Sequence, residues 1–159
     1  MEIIKQVSVF LENKPGRLAN VLSALAREKV NLLALTVMDS HEHSVLRFVP
    51  SDHSRTLPVL KDLNIPYTEA DVLQVELRNQ PGALARVCEL LGGGHINIDY
   101  AYCSTGGRNG KTLGILKVSN TDKAMRVLTE PTNNVGRRRA QPRPARNRRT
   151  YQVPGPAMP

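Results

Sequence analysis

The sequence predicts an α+β protein: two ferredoxin-like βαββαβ units with antiparallel sheets and helices on one face, plus a disordered C-terminal tail. Three observations predict this. Asn13-Lys14-Pro15-Gly16-Arg17-Leu18-Ala19 returns 66 residues later as Asn79-Gln80-Pro81-Gly82-Ala83-Leu84-Ala85. The same offset carries Val9 onto Val75, Leu11 onto Leu77, Val21 onto Val87, Leu25 onto Leu91 and Asn31 onto Asn97. A register held this long marks two copies of one unit. Within each copy, apolar residues alternate with period two and then follow helical spacing, in the order β-α-β-β-α-β. After Glu130 the pattern stops, and the text becomes rich in Arg and Pro.

In the first unit, residues 3–11 alternate as a strand, and Asn13-Lys14-Pro15-Gly16 breaks it. Leu18, Val21, Leu22 and Leu25 then set a helix running to about Lys29, with Pro15 fitting its first position, where a missing N–H is no loss. Residues 31–38 form a strand apolar on both faces, 39–42 a turn, and 44–50 a third strand. Ser51 or Asp52 caps a helix over 51–63, with Pro58 tolerated near the first turn. Residues 65–70 form a fourth strand running into the next unit. The second unit repeats the order: strand 72–78, helix 81–91 closed by Gly92-Gly93-Gly94, strand 96–103, Gly-rich loop 105–111, strand 112–118 and helix 121–128. Aligning Asp122 with Asp52 implies an insertion of four residues in that loop. The expected domains are 1–70, 71–130 with its final strand missing, and the tail 131–159. Units of this size have marginal cores, so the two are expected to pack on each other.

Composition narrows the function. All 14 acidic residues precede residue 131, whereas seven of the 22 basic residues follow it, so the folded part is nearly neutral. Nucleic-acid binding is therefore not expected except through the tail. Two cysteines, Cys88 and Cys103, lack CxxC spacing and suggest a reducing compartment rather than a disulfide framework. No signal peptide is visible at the N-terminus, and no apolar run reaches membrane-spanning length, so a cytoplasmic protein without membrane partners is expected.

The repeated motif carries the chemistry. At the start of a helix the amides of Gly16, Arg17 and Leu18 lack helical acceptors, and the helix dipole adds positive charge. Gly16 leaves room for a ligand, so this is a small anion pocket suited to a carboxylate. Asn13 and Asn31, expected close to one another, would offer amide oxygens to an ammonium. Asn79, Gly82 and Asn97 repeat the set. The alternative is a plain strand-to-helix turn, with Asn capping and Gly allowing close packing.

The residues Asn13-Lys14-Pro15-Gly16-Arg17-Leu18 with Val30-Asn31-Leu32, and Asn79-Gln80-Pro81-Gly82-Ala83-Leu84 with Ile96-Asn97-Ile98, resemble the tandem ACT-domain proteins. The resemblance spans about residues 4–128. It implies a stand-alone, non-catalytic regulator that binds a small amino acid between ACT units. It implies ligand-binding roles for Asn13, Lys14, Gly16, Arg17, Leu18, Asn31, Leu32, Asn79, Gln80, Gly82, Ala83, Leu84, Asn97 and Ile98. Some serine-binding members carry a His two residues before the loop Asn; Leu11 and Leu77 stand there here, which points away from serine. A homodimer and a partner enzyme or regulator are expected, with no cofactor.

Other residues give weaker signals. His41 and His43 have no third metal ligand at a recognisable spacing, and no catalytic set is visible. Tyr100 and Tyr102 are read as strand packing, and Cys88 as core beside Leu84 and Leu91. The competing functions are nucleic-acid binding through the tail and a structural or regulatory subunit with a vestigial pocket. The tail starts where a fourth strand is required, so a shifted reading frame is the other reading of its composition.

Overall fold

In the computed structural model, residues 1–40, 43–105 and 111–130 are described. The elements are β1 (Glu2–Glu12), α1 (Arg17–Arg27), β2 (Leu32–Ser40), β3 (His43–Pro50), α2 (His53–Asp62), β4 (Tyr67–Arg78), α3 (Ala83–Gly93), β5 (Ile98–Thr105), β6 (Lys111–Val118) and α4 (Thr121–Thr129). The expected order of elements is found, on one six-stranded antiparallel sheet, β2-β3-β1-β4-β6-β5. The residues of the expected tail, the hairpin positions 41–42 and most of the Gly-rich loop lie outside the described residues.

The two units share a strand. The strands expected at 65–70 and 72–78 are one element, β4, which spans the expected unit boundary. Its first part pairs with β1 from Val9↔Tyr67 to Glu2↔Gln74, and its second part with β6 from Leu73↔Leu116 to Arg78↔Lys111. Under the repeat offset Lys5 maps onto Asp71, and these two residues face each other across β1 and β4. They form an ion pair of 2.8 Å on the pseudo-twofold axis. The Asp71 carboxylate accepts from Lys5 and holds its ammonium pKa up.

All four helices lie on one face of the sheet. Val7, Val9, Leu11, Leu46 and Phe48 pack there against Val21, Leu25 and Leu60 of α1 and α2. Leu73, Val75, Leu77 and Leu116 pack against Val87, Leu91 and Ala124 of α3 and α4. Each fully buried Leu or Phe contributes about 1.5–3 kcal/mol relative to exposure.

The opposite face is covered as well, and by the chain itself. The edge strands β2 and β5 come into contact, so the sheet curls back across the pseudo-dyad. Ala34, Val49, Val72 and Ile115 form a core on the concave side. Gln6, fully buried, spans it: its amide nitrogen donates to Tyr100 Oη (2.7 Å) and to Ser8 Oγ (3.3 Å), and Tyr102 Oη donates to its Oε1 (3.0 Å). The Arg47 guanidinium stacks over the Tyr100 ring at 4.4 Å. The tyrosines thus pack a strand as expected, and also carry a polar network that the sequence pattern did not announce.

Several local expectations are corrected. Asp39 and Ser40 belong to β2 and pair with Ser44 and His43, so the turn is tighter than 39–42. The equivalent of Asp52, which caps α2 by accepting from the Arg55 amide (3.0 Å), is Asn120, which caps α4 by accepting from the Lys123 amide (2.8 Å). The insertion between the units is therefore two residues rather than four. Pro58 sits inside α2, past its first turn, and deprives the Ser54 carbonyl of its helical partner. The glycine run ends α3 two residues later than expected: Gly92 and Gly93 are helical, Gly94 is the C-cap, and the left-handed residue is His95 (φ 52°), the repeat mate of Lys29 (φ 57°). Cys88 and Leu84 are exposed, because Val87 and Leu91 carry the buried face of α3.

Candidate functional site at the strand-to-helix turns

The repeated motif forms a tight turn in both copies. The Arg17 amide donates to the Lys14 carbonyl, and the Ala83 amide to the Gln80 carbonyl, each at 3.3 Å. Gly16 (φ 84°, ψ −14°) and Gly82 (φ 86°, ψ −10°) hold the left-handed third position of a type II turn, with Pro15 and Pro81 at the second. The expectation that Pro15 is the first helical residue is therefore corrected: α1 and α3 begin at Arg17 and Ala83, after the glycine. The amides of Arg17 and Ala83 are taken by the turn, which reduces the donor set expected for an anion. The N-cap positions of α1 and α3 are held by Gly16 and Gly82 rather than by Asn13 and Asn79.

A cavity of about 470 Å³ lies beside the first turn, lined by Phe10, Glu12, Arg17, Asn20 and His43, with residues 63–66 as its far wall. Glu12 accepts from Arg17 (2.8 Å) and Lys14 (3.0 Å), and these two cations hold its carboxyl below the usual range. The repeat-equivalent cavity of the second unit, about 330 Å³, is lined by Val75, Leu77, Arg78, Gln80, Ala83 and Arg86. Under the offset, Glu12 becomes Arg78, Arg17 becomes Ala83 and Asn20 becomes Arg86. Both cavities thus offer both charge signs: Glu12 and Arg17 line the first, and Glu76 lines the second beside Arg78 and Arg86.

Asn31 and Asn97 lie elsewhere. Each is clamped to the end of a neighbouring strand: the Asn31 amide donates to Ser51 Oγ (2.9 Å) and the Asn97 amide to Ser119 Oγ (3.2 Å). Their carbonyls accept from the Ser51 and Ser119 amides at 2.8 and 3.0 Å. Asn97 also donates from its side chain to Asp99 (3.0 Å). Glu12 pairs with His43, and so does Ser40 at the far end of β2, whereas Leu32 pairs with Pro50. At about 3.3 Å per residue, Asn31 and Leu32 lie roughly 26 Å along β2 from the end that carries Asn13. The expectation that Asn31 lies close to the Asn13 loop is overturned, because a second strand antiparallel to its hairpin partner starts at the opposite sheet end.

The candidate residues therefore fall into three groups. Asn13, Lys14, Gly16, Arg17 and Leu18 sit at one end of the sheet, and Asn79, Gln80, Gly82, Ala83 and Leu84 at the other. Asn31, Leu32, Asn97 and Ile98 lie near the level of the Lys5–Asp71 axis, on the two edge strands. No turn meets a second-strand start within one chain. Among the described residues, no three His, Cys, Asp or Glu side chains are grouped to hold a metal. No helix among them is long and apolar enough to cross a membrane. His41 lies outside them.

A family model described as an ACT domain pair matches residues 1–135. The chain belongs to the ACT domain pair family. A protein of known crystal structure from Bacteroides thetaiotaomicron is similar, at 36% identity and a TM-score of 0.74, with 79% of this chain and 86% of that chain covered. The ligand-free regulatory subunit of aspartate kinase from Thermus thermophilus shares the fold at 14% identity and a TM-score of 0.57, covering 80% and 95% of the two chains. Its counterpart from Thermus flavus does so at 16% identity and a TM-score of 0.53, covering 80% and 93%. No curated protein sequence matches the chain.

Proposed function

We propose that this ACT domain pair is a non-catalytic cytoplasmic regulator that binds a small amino acid at the turn cavity of its first unit. The observation that carries the reading is the chemistry of that cavity. Arg17 can hold a carboxylate, Glu12, which also pairs with Lys14, can hold an ammonium, and the walls contributed by Phe10, Leu63 and Ile65 suit an apolar side chain. Within the chain these charges pair with one another, and a zwitterion would exchange those pairs for its own. The exposed ion pairs are worth little in themselves, so the exchange costs little.

A site that joins a turn to a second-strand start requires another copy of the chain. Asn31 and Leu32 of one protomer would then face Asn13, Gly16 and Leu18 of its partner, and Asn97 and Ile98 would face the second turn. Leu33, Leu35, Val37 and Met38 lie on the edge strand β2 and are more than 40% exposed, which suits burial in a homodimer. The ligand would favour one arrangement of units by its differential affinity, and a partner enzyme or regulator would read that arrangement. The two aspartate kinase subunits are regulatory subunits, and a role of that kind is what we propose here.

Thermal unfolding against the twenty amino acids at millimolar concentration tests this. One or a few should raise the midpoint, and Arg17→Ala or Asn13→Ala should abolish the rise. An unchanged midpoint with all twenty would discard the ligand reading and leave the motif as turn chemistry.

A further inference from the structure

We infer that the concave face of the first unit holds a second binding site, built around Arg47, for a small apolar carboxylate. On this face the side chains line up in rows across the sheet. Thr36, Arg47 and Ser8 are in register on β2, β3 and β1, and Thr68 of β4 stands opposite Ser8. Two residues away along each strand, Met38, Val45 and Phe10 form the next row. The first row is a guanidinium among hydroxyls. The second is apolar, and its Met38 and Phe10 are exposed.

Three features point to the ligand. Arg47 is half-buried and held in place: its guanidinium lies over the Tyr100 ring at 4.4 Å and donates to Met38 Sδ. Among the described residues no carboxylate pairs with it. A rigid guanidinium without a counter-ion is a receptor for a carboxylate, which it can grip with two parallel hydrogen bonds. Gln6 donates to Tyr100 Oη and to Ser8 Oγ, so both hydroxyls keep their own protons to give. Second, the apolar row begins roughly 7 Å from the guanidinium row, two residues along a strand, which suits a hydrocarbon body behind the carboxylate. Third, the repeat supplies a comparison. In the second unit Ile115 takes the place of Arg47 and Glu76 that of Phe10, and Ile115 is buried in the concave core. The fold therefore needs neither the cation nor the exposed aromatic ring. With a cation and hydroxyls but no carboxylate, the row favours a plain carboxylate over a zwitterion. The site thus stands or falls apart from the amino acid proposed for the turn cavity.

The test is a titration of the full chain with sodium octanoate, followed by amide chemical shifts. The shifts should saturate at millimolar concentration or below and centre on Ser8, Phe10, Val45 and Arg47. Arg47→Gln should weaken binding about tenfold or more, the worth of a hydrogen bond to a charged group, and octanol, with the same chain and no charge, should bind more weakly by a similar factor. Arg17→Ala should leave octanoate binding unchanged. If Arg47→Gln does not fold, Phe10→Ser replaces it, an exposed position whose loss should likewise weaken octanoate. The absence of a saturable shift, equal binding of octanol, or a loss caused by Arg17→Ala and not by Arg47→Gln overturns the assignment. The same shifts on raising the protein concentration alone overturn it in favour of a second copy on this face.

Discussion

Gln6 is the residue to perturb first, since its amide ties β1 to β5 across the curl. It is fully buried, and the hydroxyl of Tyr102 donates to its oxygen at 3.0 Å. Tyr102→Phe keeps the ring and removes that donor, so a buried carbonyl oxygen is left unsatisfied at a cost of about 1–3 kcal/mol. In a urea titration with a slope of about 2 kcal/mol/M, a loss of about 2 kcal/mol moves the midpoint down by about 1 M. Gln6→Leu removes the acceptor instead, and the half-buried tyrosine hydroxyls can turn to water. Tyr102→Phe made on top of Gln6→Leu should then cost almost nothing, giving a coupling of about 1–2 kcal/mol. If Tyr102→Phe costs the same with and without Gln6, the two groups do not act together and the account of the concave core fails.

Gly16→Ala and Gly82→Ala should each destabilise the chain by about 1–2 kcal/mol, because both positions are left-handed and the penalty is one of backbone conformation alone. A Cβ there would meet nothing within 4 Å, so Gly16→Asn should recover part of the loss in the same urea titration. Burial pushes the Tyr102 phenol above its ordinary value, so the stability it confers is whole below about pH 10 and is lost as pH rises beyond that. Urea midpoints taken from pH 8 to 11 should fall less steeply for Tyr102→Phe than for the unmodified chain, and equal slopes would refute the assignment.

Much of this architecture was legible in the residues, and what was not has physical causes. The strands and helices followed from the alternation at Val7, Val9 and Leu11 and from the spacing of Val21 and Leu25, since burial on one face dictates both periods. Asp52 announced its cap. The single strand β4 was hidden because Asp71 interrupts the apolar run between Ala70 and Val72. That carboxylate marks a symmetry axis, where it meets Lys5, rather than a chain boundary. Gln6 and Ser8 stand in the polar row of the β1 alternation, and alternation cannot reveal a sheet that curls onto its own second face. The Pro-Gly pair carried the signature of a type II turn, Pro second and Gly third, and the attraction of Pro for the first helical position masked it. Asn31 was misplaced for another reason: the motif named the residue types, while their separation depended on strand direction.

The shared strand also restricts how such a pair can vary. Alternate side chains of β4 face opposite ways, so Tyr67 and Leu73, six residues apart, both point at the helical layer. Removing one residue between them would send Leu73, Val75 and Leu77 to the concave side and turn Val72 toward the helices. Only even changes of length at this junction conserve the inside and outside of both halves. The seam between the two copies therefore obeys an arithmetic of parity, which a flexible linker would not impose.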